Sequence, residues 1–274
     1  MRTNHIGIIS GIMVLAALVV FSVFIFNRNE KGEYDFSHAD KTYVLSDSLK
    51  EISGVTHFNK KLLACVEDEH GIVYVFDLEE GHIKRKLEVE PYGDFEGIAR
   101  VGKEMYLLRS DGTLFVRSTK LSSSKVTKYP FQTSAKNFEG LFYDKKGDRL
   151  LLVSREQGQN EKGIPVYAFD PISKTFNQQP VLYLTLTETD RKNFVFSPSE
   201  LAIHPKTGNV FVLSAADHAL FVFDNKGKAL YTQELNPVDF NKPEGLTFAK
   251  NGDLFISNEG QTEKPTILKF VWRH

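Results

Sequence analysis

Three glutamates recur in one short motif: Glu96 in Phe95-Glu96-Gly97-Ile98, Glu139 in Phe138-Glu139-Gly140-Leu141, and Glu244 in Pro243-Glu244-Gly245-Leu246. Two weaker copies, Ile52-Ser53-Gly54-Val55 and Pro198-Ser199-Glu200-Leu201, carry serine at the glutamate position. Carboxylates brought to one place repel unless they are protonated, ion-paired or bound to a cation. Oxygen donors of this hardness suit Ca²⁺, which takes about six to eight of them. Zinc has no such support, because the eight histidines show no ligand spacing. The single cysteine, Cys65, lies in the apolar run Leu62-Leu63-Ala64-Cys65-Val66 and reads as a buried hydrophobe. No nucleophile elbow, Walker loop or dinucleotide fingerprint occurs. The only hydrolytic chemistry with visible parts is a metal-polarised substrate with one of these carboxylates as base.

Whether the carboxylates meet depends on the elements that carry them. Each motif copy opens an apolar run, a polar turn follows, and a second apolar run comes next. Gly54, Gly97 and Gly140 are spaced by 43 residues, the period of a four-stranded propeller blade. Val75-Phe76-Asp77, Ala168-Phe169-Asp170 and Val222-Phe223-Asp224 end the third strand of their units alike, with aspartate as turn former. Between Gly140 and Glu200 the step lengthens, which places loops at Gln157 to Lys162 and at Thr187 to Pro198. The last unit has three strands, and Tyr43-Val44-Leu45 supplies the fourth. That pairing closes the ring and removes an exposed sheet edge. The expectation is an all-β, five-bladed propeller over residues 41–274; a sixth blade in the long insertion is short of strands.

In a propeller the first strand of each blade lines the central channel, and the second runs antiparallel to it. Starts of first strands and ends of second strands therefore share one face. That face gathers Ser53, Glu96, Glu139, Ser199 or Glu200, and Glu244 with Glu67, Asp68, Asp111, Arg155, Glu156, Asp217, Asn258 and Glu259. Two readings stand. Glu67, Glu96, Glu139, Glu244 and Glu259 hold a central Ca²⁺, or the motif glutamates bond backbone groups of the next blade as staples. Arg109 and Arg155 offer a further alternative, neutralising the carboxylates as ion pairs with no metal involved.

Composition bounds the partners. A net charge of −1 and a pI near 6.7 leave no basic footprint for nucleic acid. After a short tail (residues 1–5), Ile6 to Phe26 is uncharged and almost wholly apolar, the length that spans a bilayer as a helix. It ends in Phe24-Ile25-Phe26-Asn27-Arg28 without the small residues of a cleavage site, so an uncleaved anchor is expected ahead of a cleaved signal peptide. Residues 27–40 read as a tether. Lys and Arg nearly balance across the segment; with so short a tail, the propeller is expected outside the bacterial inner membrane.

The runs Glu51-Ile52-Ser53-Gly54-Val55, Ala64-Cys65-Val66-Glu67-Asp68-Glu69, Gly71-Ile72-Val73-Tyr74 and Gly93-Asp94-Phe95-Glu96-Gly97-Ile98-Ala99 resemble the bacterial SdiA-regulated (YjiK-like) family. So do Pro198-Ser199-Glu200-Leu201-Ala202-Ile203-His204-Pro205-Lys206-Thr207-Gly208 and Lys242-Pro243-Glu244-Gly245-Leu246. The resemblance runs from about Tyr43 to the C-terminus. It implies a five-bladed propeller behind an N-terminal membrane segment, distantly related to NHL-repeat propellers, with a bound Ca²⁺ at Glu67, Glu96, Glu139, Glu244 and Glu259. The serines at positions 53 and 199 make that ring asymmetric. The function expected is a binding or scaffold module taking a protein or small-molecule ligand on its axial face. A calcium-dependent hydrolase of lactonase or phosphoesterase type is the alternative.

Overall fold

Among the described residues, alternating apolar residues between Gly, Asn and Asp turns build twenty-one strands, all antiparallel to their strand neighbours. The computed structural model describes residues 33–155 and 163–273. The expected membrane segment, residues 27–32 of the tether, Glu156 and the loop from Gln157 to Lys162 lie outside the described residues. Among the described residues no helix is long and apolar enough to cross a membrane. Phe36–Trp272 is one compact unit; of the other, Met1–Asp35 with Arg273–His274, only residues 33–35 and 273 are described.

Blade 1 is β2 (Ile52–His57), β3 (Leu62–Glu67), β4 (Gly71–Asp77) and β5 (His82–Glu90). Blade 2 is β6 (Phe95–Val101), β7 (Glu104–Arg109), β8 (Leu114–Ser118) and β9 (Val126–Tyr129). Blade 3 comprises β10 (Phe138–Asp144), β11 (Arg149–Ser154), β12 (Ile164–Asp170) and two short outer pieces, β13 (Thr175–Phe176) and β14 (Leu182–Leu184). Both pieces pair with β12, so its outer edge is covered in two parts. Blade 4 is β15 (Glu200–Ile203), β16 (Val210–Ser214), β17 (Ala219–Phe223) and β18 (Ala229–Glu234). Blade 5 is β19 (Pro243–Phe248), β20 (Leu254–Asn258) and β21 (Thr266–Phe270), completed by β1 (Lys41–Val44) with Tyr43 opposite Ile267. The ring closes as the strand count requires.

The stretch from Thr187 to Pro198 is not wholly loop, since Glu188–Asn193 forms a short helix, α1. Thr187 caps it, accepting the Asp190 N–H at 3.0 Å.

The core is divided into layers between neighbouring blades. Leu63, Cys65 and Phe76 of blade 1 pack with Tyr43, Phe255 and Ile267 of blade 5. Val66 and Val75 meet Ile98, Leu107 and Phe115 across the next seam. Tyr106 and Leu108 meet Phe138, Leu152 and Phe169, and Val153 and Val166 meet Leu201, Val212 and Phe221. The remaining seam is aromatic: His204 and Phe211 against Phe248. Cys65 is fully buried in the seam between blades 1 and 5, and burial pushes its thiol up to about 12, so it is inert packing.

The glycine of the motif sets how tightly the inner strands approach. A Cβ on Gly97 would lie 2.7 Å from Leu141 Cβ and 2.8 Å from its nitrogen. One on Gly140 would lie 2.9 Å from the Cα of Glu200. Only a residue without a side chain lets adjacent blades come this close.

Candidate functional site

The motif places its glutamates by a device that alternation does not reveal. In four blades the pairing of inner and second strand slips at the motif: between Ile52 and Gly54, Phe95 and Gly97, Phe138 and Gly140, and Pro243 and Gly245. Ser53, Glu96, Glu139 and Glu244 are thus the extra residues of β-bulges, which re-aim a side chain out of the pleat. In blade 4 the register differs. Glu200 pairs with Leu213, the position that glycine holds in the other blades.

Glu96, Glu139 and Glu244 come together. Burial, then the charges of Glu139, Asp94 and Glu244, push Glu96 up to about 9 against a weaker opposing pull from Arg155. Among the described residues no donor is hydrogen-bonded to its carboxyl. Glu139 is raised by burial to about 7, and Arg155 opposes the rise through an ion pair of 2.7 Å. Lys242 stands between Glu259 at 2.7 Å and Glu244 at 3.4 Å, joining the fifth blade's two glutamates through one ammonium. Burial still leaves Glu259 above its ordinary range. Arg109 has a different role from Arg155: it pairs with Asp111 at 2.6 Å within its own hairpin.

Glu67 is oriented toward its own turn. Its carboxylate accepts the backbone N–H groups of Glu69 and His70 at 3.1 and 2.8 Å, and lies 3.1 Å from His70 Nδ1. With Glu69 and His70 it forms a separate group whose ligand atoms lie within 4.8 Å of one another. Asp68, between the two groups, is pushed to about 7 by burial and by Glu51, Glu259, Glu67 and Glu69. Asp217 is structural, accepting the N–H groups of Val195 and Phe196 at 2.8 and 2.9 Å.

Two features were not apparent from the motif alone. Ser53 carries out the staple role that was open for glutamate, donating to the Phe95 carbonyl of the next blade at 2.6 Å. Glu200 is 1 % exposed and accepts the N–H groups of Leu201, at 2.9 Å, and Leu141. Both donors belong to inner-edge strands, β15 and β10, so this carboxyl bridges two blades at the channel wall. Burial holds it well above the carboxylate range, and its Oε2 is buried without a hydrogen-bond partner. A glutamate where the sibling motifs have glycine was the sequence signal for it.

A closed ring of five four-stranded blades with acidic side chains on bulges of the channel strands defines a five-bladed β-propeller. The SdiA-regulated family model matches residues 32–262, and the chain belongs to that family. Among solved structures it is similar to glutaminyl cyclase from Myxococcus xanthus, with 17% identity, 85% of this chain and 95% of that one covered, and a TM-score of 0.57. It is also similar to a protein of unknown function from Bacteroides thetaiotaomicron, with 13% identity, 81% and 56% coverage and a TM-score of 0.52. A chain of a nidogen/laminin complex is comparable, at 15% identity, 78% and 74% coverage and 0.52. These likenesses establish the fold, which hosts enzymes and binding proteins alike. No curated protein matches the sequence.

Proposed function

We propose that this chain is a membrane-anchored, extracytoplasmic propeller whose axial carboxylates hold Ca²⁺ and whose axial face is a binding module. One observation carries the metal reading. Glu96 is half-buried among Glu139, Asp94 and Glu244 with no donor bonded to it, a local excess of negative charge that Arg155 and Lys242 offset only in part. The donor set fits a hard cation, being all oxygen, and the buried Oε2 of Glu200 adds an acceptor without a partner nearby. Glu96, Glu139 and Glu244 would hold the ion, with Glu259 reaching it through displacement of Lys242. When bound, the ion would neutralise the cluster and tie three blades together. The chain's own part is to bring the carboxylates to the bulges and to supply the two internal cations that stand in for metal.

Metal analysis of the purified full-length protein, with thermal melts in Ca²⁺ and in EDTA, tests this. Bound calcium and a lower midpoint after chelation are expected; absence of both defeats the site. Protease accessibility of the propeller in spheroplasts tests the orientation, with protection of the domain defeating it.

The alternative, a calcium-dependent hydrolase, draws support from Glu139, whose carboxyl near 7 has the affinity for protons that a general base needs. Turnover of lactones or phosphoesters that disappears in Glu139→Gln would favour it over the binding module.

A further inference from the structure

Beside the carboxylate cluster, the seam between blades 3 and 4 opens into a cleft of about 450 Å³. Its walls include Ile164 of β12, Leu184 of β14, and Phe194 and Phe196 just after α1. Two guanidinium groups join them, Arg155 and Arg191. The wall is held in place from behind. Phe194 and Phe196 pack on Phe221 with ring centroids 5.3 and 4.7 Å apart, and Asp217 fixes the backbone of Val195 and Phe196. Thr232 Oγ1 donates to Asp190 at 3.1 Å, tying α1 to β18. That anchoring leaves Val195 80 % exposed at the cleft, so an apolar surface is presented to solvent by a segment fixed in position.

The charge in the cleft is not balanced. Arg155 is shared with Glu139, and among the described residues no acid pairs with Arg191. A cleft of this volume, lined about equally by polar and apolar surface, has room for a small molecule with one polar end. One unpaired guanidinium and part of another call for a single negative charge, and a planar fork matches a carboxylate in two-point contact. We infer that this cleft binds a small organic carboxylate with an apolar body, the acid group on Arg191 and Arg155 and the body against Leu184, Phe194 and Phe196. The site adjoins the axial cluster through Arg155, which it shares with Glu139, whereas Arg191 takes no part in that cluster.

Isothermal titration of the full-length protein with 4-phenylbutyrate, and with its neutral counterpart 4-phenylbutanamide, tests the inference. The acid should bind about ten-fold or more tightly than the amide, as a charge-assisted two-point contact requires. Arg191→Gln should remove that preference, while Lys192→Gln, an equal charge change one residue along the same exposed helix, should keep it. Failure of 4-phenylbutyrate to bind, equal binding of acid and amide, or equal effects of the two substitutions would each overturn the assignment. Calcium loading should be unchanged in Arg191→Gln, which separates a failure of this assignment from a failure of the axial site.

Discussion

The molecule uses carboxylates at two ends of its blades in opposite ways. At the outer turns, Asp77, Asp170 and Asp224 follow the Phe-Asp pattern and are satisfied locally. Asp77 accepts N–H groups from Glu79 and Glu80 and pairs with Lys84 at 2.6 Å. Asp170 accepts from Ile172 and Ser173, and Asp224 from Lys226 and Lys228. All three are held below the ordinary carboxylate range: Asp77 by Lys84 first, Asp170 by the Ile172 N–H, and Asp224 by the Lys228 N–H. At the channel, Glu96 is held above it by burial and by Glu139, Asp94 and Glu244, and Glu139 by burial and by Glu244 and Asp94. The same functional group thus stabilises a turn in one place and leaves an unmet demand for positive charge in the other. What separates them is the supply of donors, not the number of acids.

The largest effect that would break this contrast is on metal response. Glu96→Gln or Glu139→Gln should weaken calcium binding by about 100-fold or more, beyond the 10–100-fold expected for residues that only support a ligand. Calorimetric titration measures it, and an unchanged affinity would mean the channel carboxylates are as self-sufficient as the turn aspartates.

Next comes pH. Glu96 ionises near 4.5 when unfolded and near 9 when folded without metal. Its contribution is fully present below about 4.5 and is lost as pH rises toward 9, because the unfolded chain releases the proton first. Glu139 acts in the same sense up to about 7. In EDTA the melting midpoint should therefore decline across this window. Saturating Ca²⁺ should reduce the decline, and Glu96→Gln should flatten it. Asp77 has the opposite sign, its contribution being present above the unfolded value and lost on acidification. A midpoint in EDTA that rises from pH 5 to 9 would contradict the channel assignment.

Asp77→Asn should lower the melting midpoint by a few degrees while leaving the calcium response intact, since its partners are all in one hairpin. A loss of calcium binding equal to that of Glu96→Gln would reduce both sets to plain structure. The smallest change is expected from Ser53→Ala, which removes one interblade hydrogen bond worth about 1 kcal/mol, or about 2–4 °C in a domain of this size. A large loss of calcium affinity there would bring the serine positions into the site.

Much of this was legible in the sequence because it follows from period. The 43-residue spacing gave the blades, and the strand missing from the last unit gave the closure by Tyr43. The turn role of Asp77, Asp170 and Asp224 follows from their place after a strand. Pairing detail was less visible. A bulge changes which residues face each other without changing the alternation around it, so the exit of Glu96 from the pleat is a fact of register. Lys242 just before Pro243 and Arg155 just after β11 become counter-charges only once the ring brings their glutamates within reach. Helix α1 was overlooked although Thr187, with Asp190 three residues on, is an N-cap pattern. The long outer loop hid it.

The pairing of β1 with β21 joins residues from opposite ends of the sequence. Of the described strands β1 is made first and its partner β21 last, so the other blades can fold before the ring is sealed. A pull applied ahead of Phe36 meets first the packing of Phe36 on Phe240 and Phe270 and the Val271 N–H donated to Asp40, and then the four residue pairs from Lys41–Lys269 to Val44–Thr266. The seam that is sealed last is therefore among the first to bear tension from the N-terminal side.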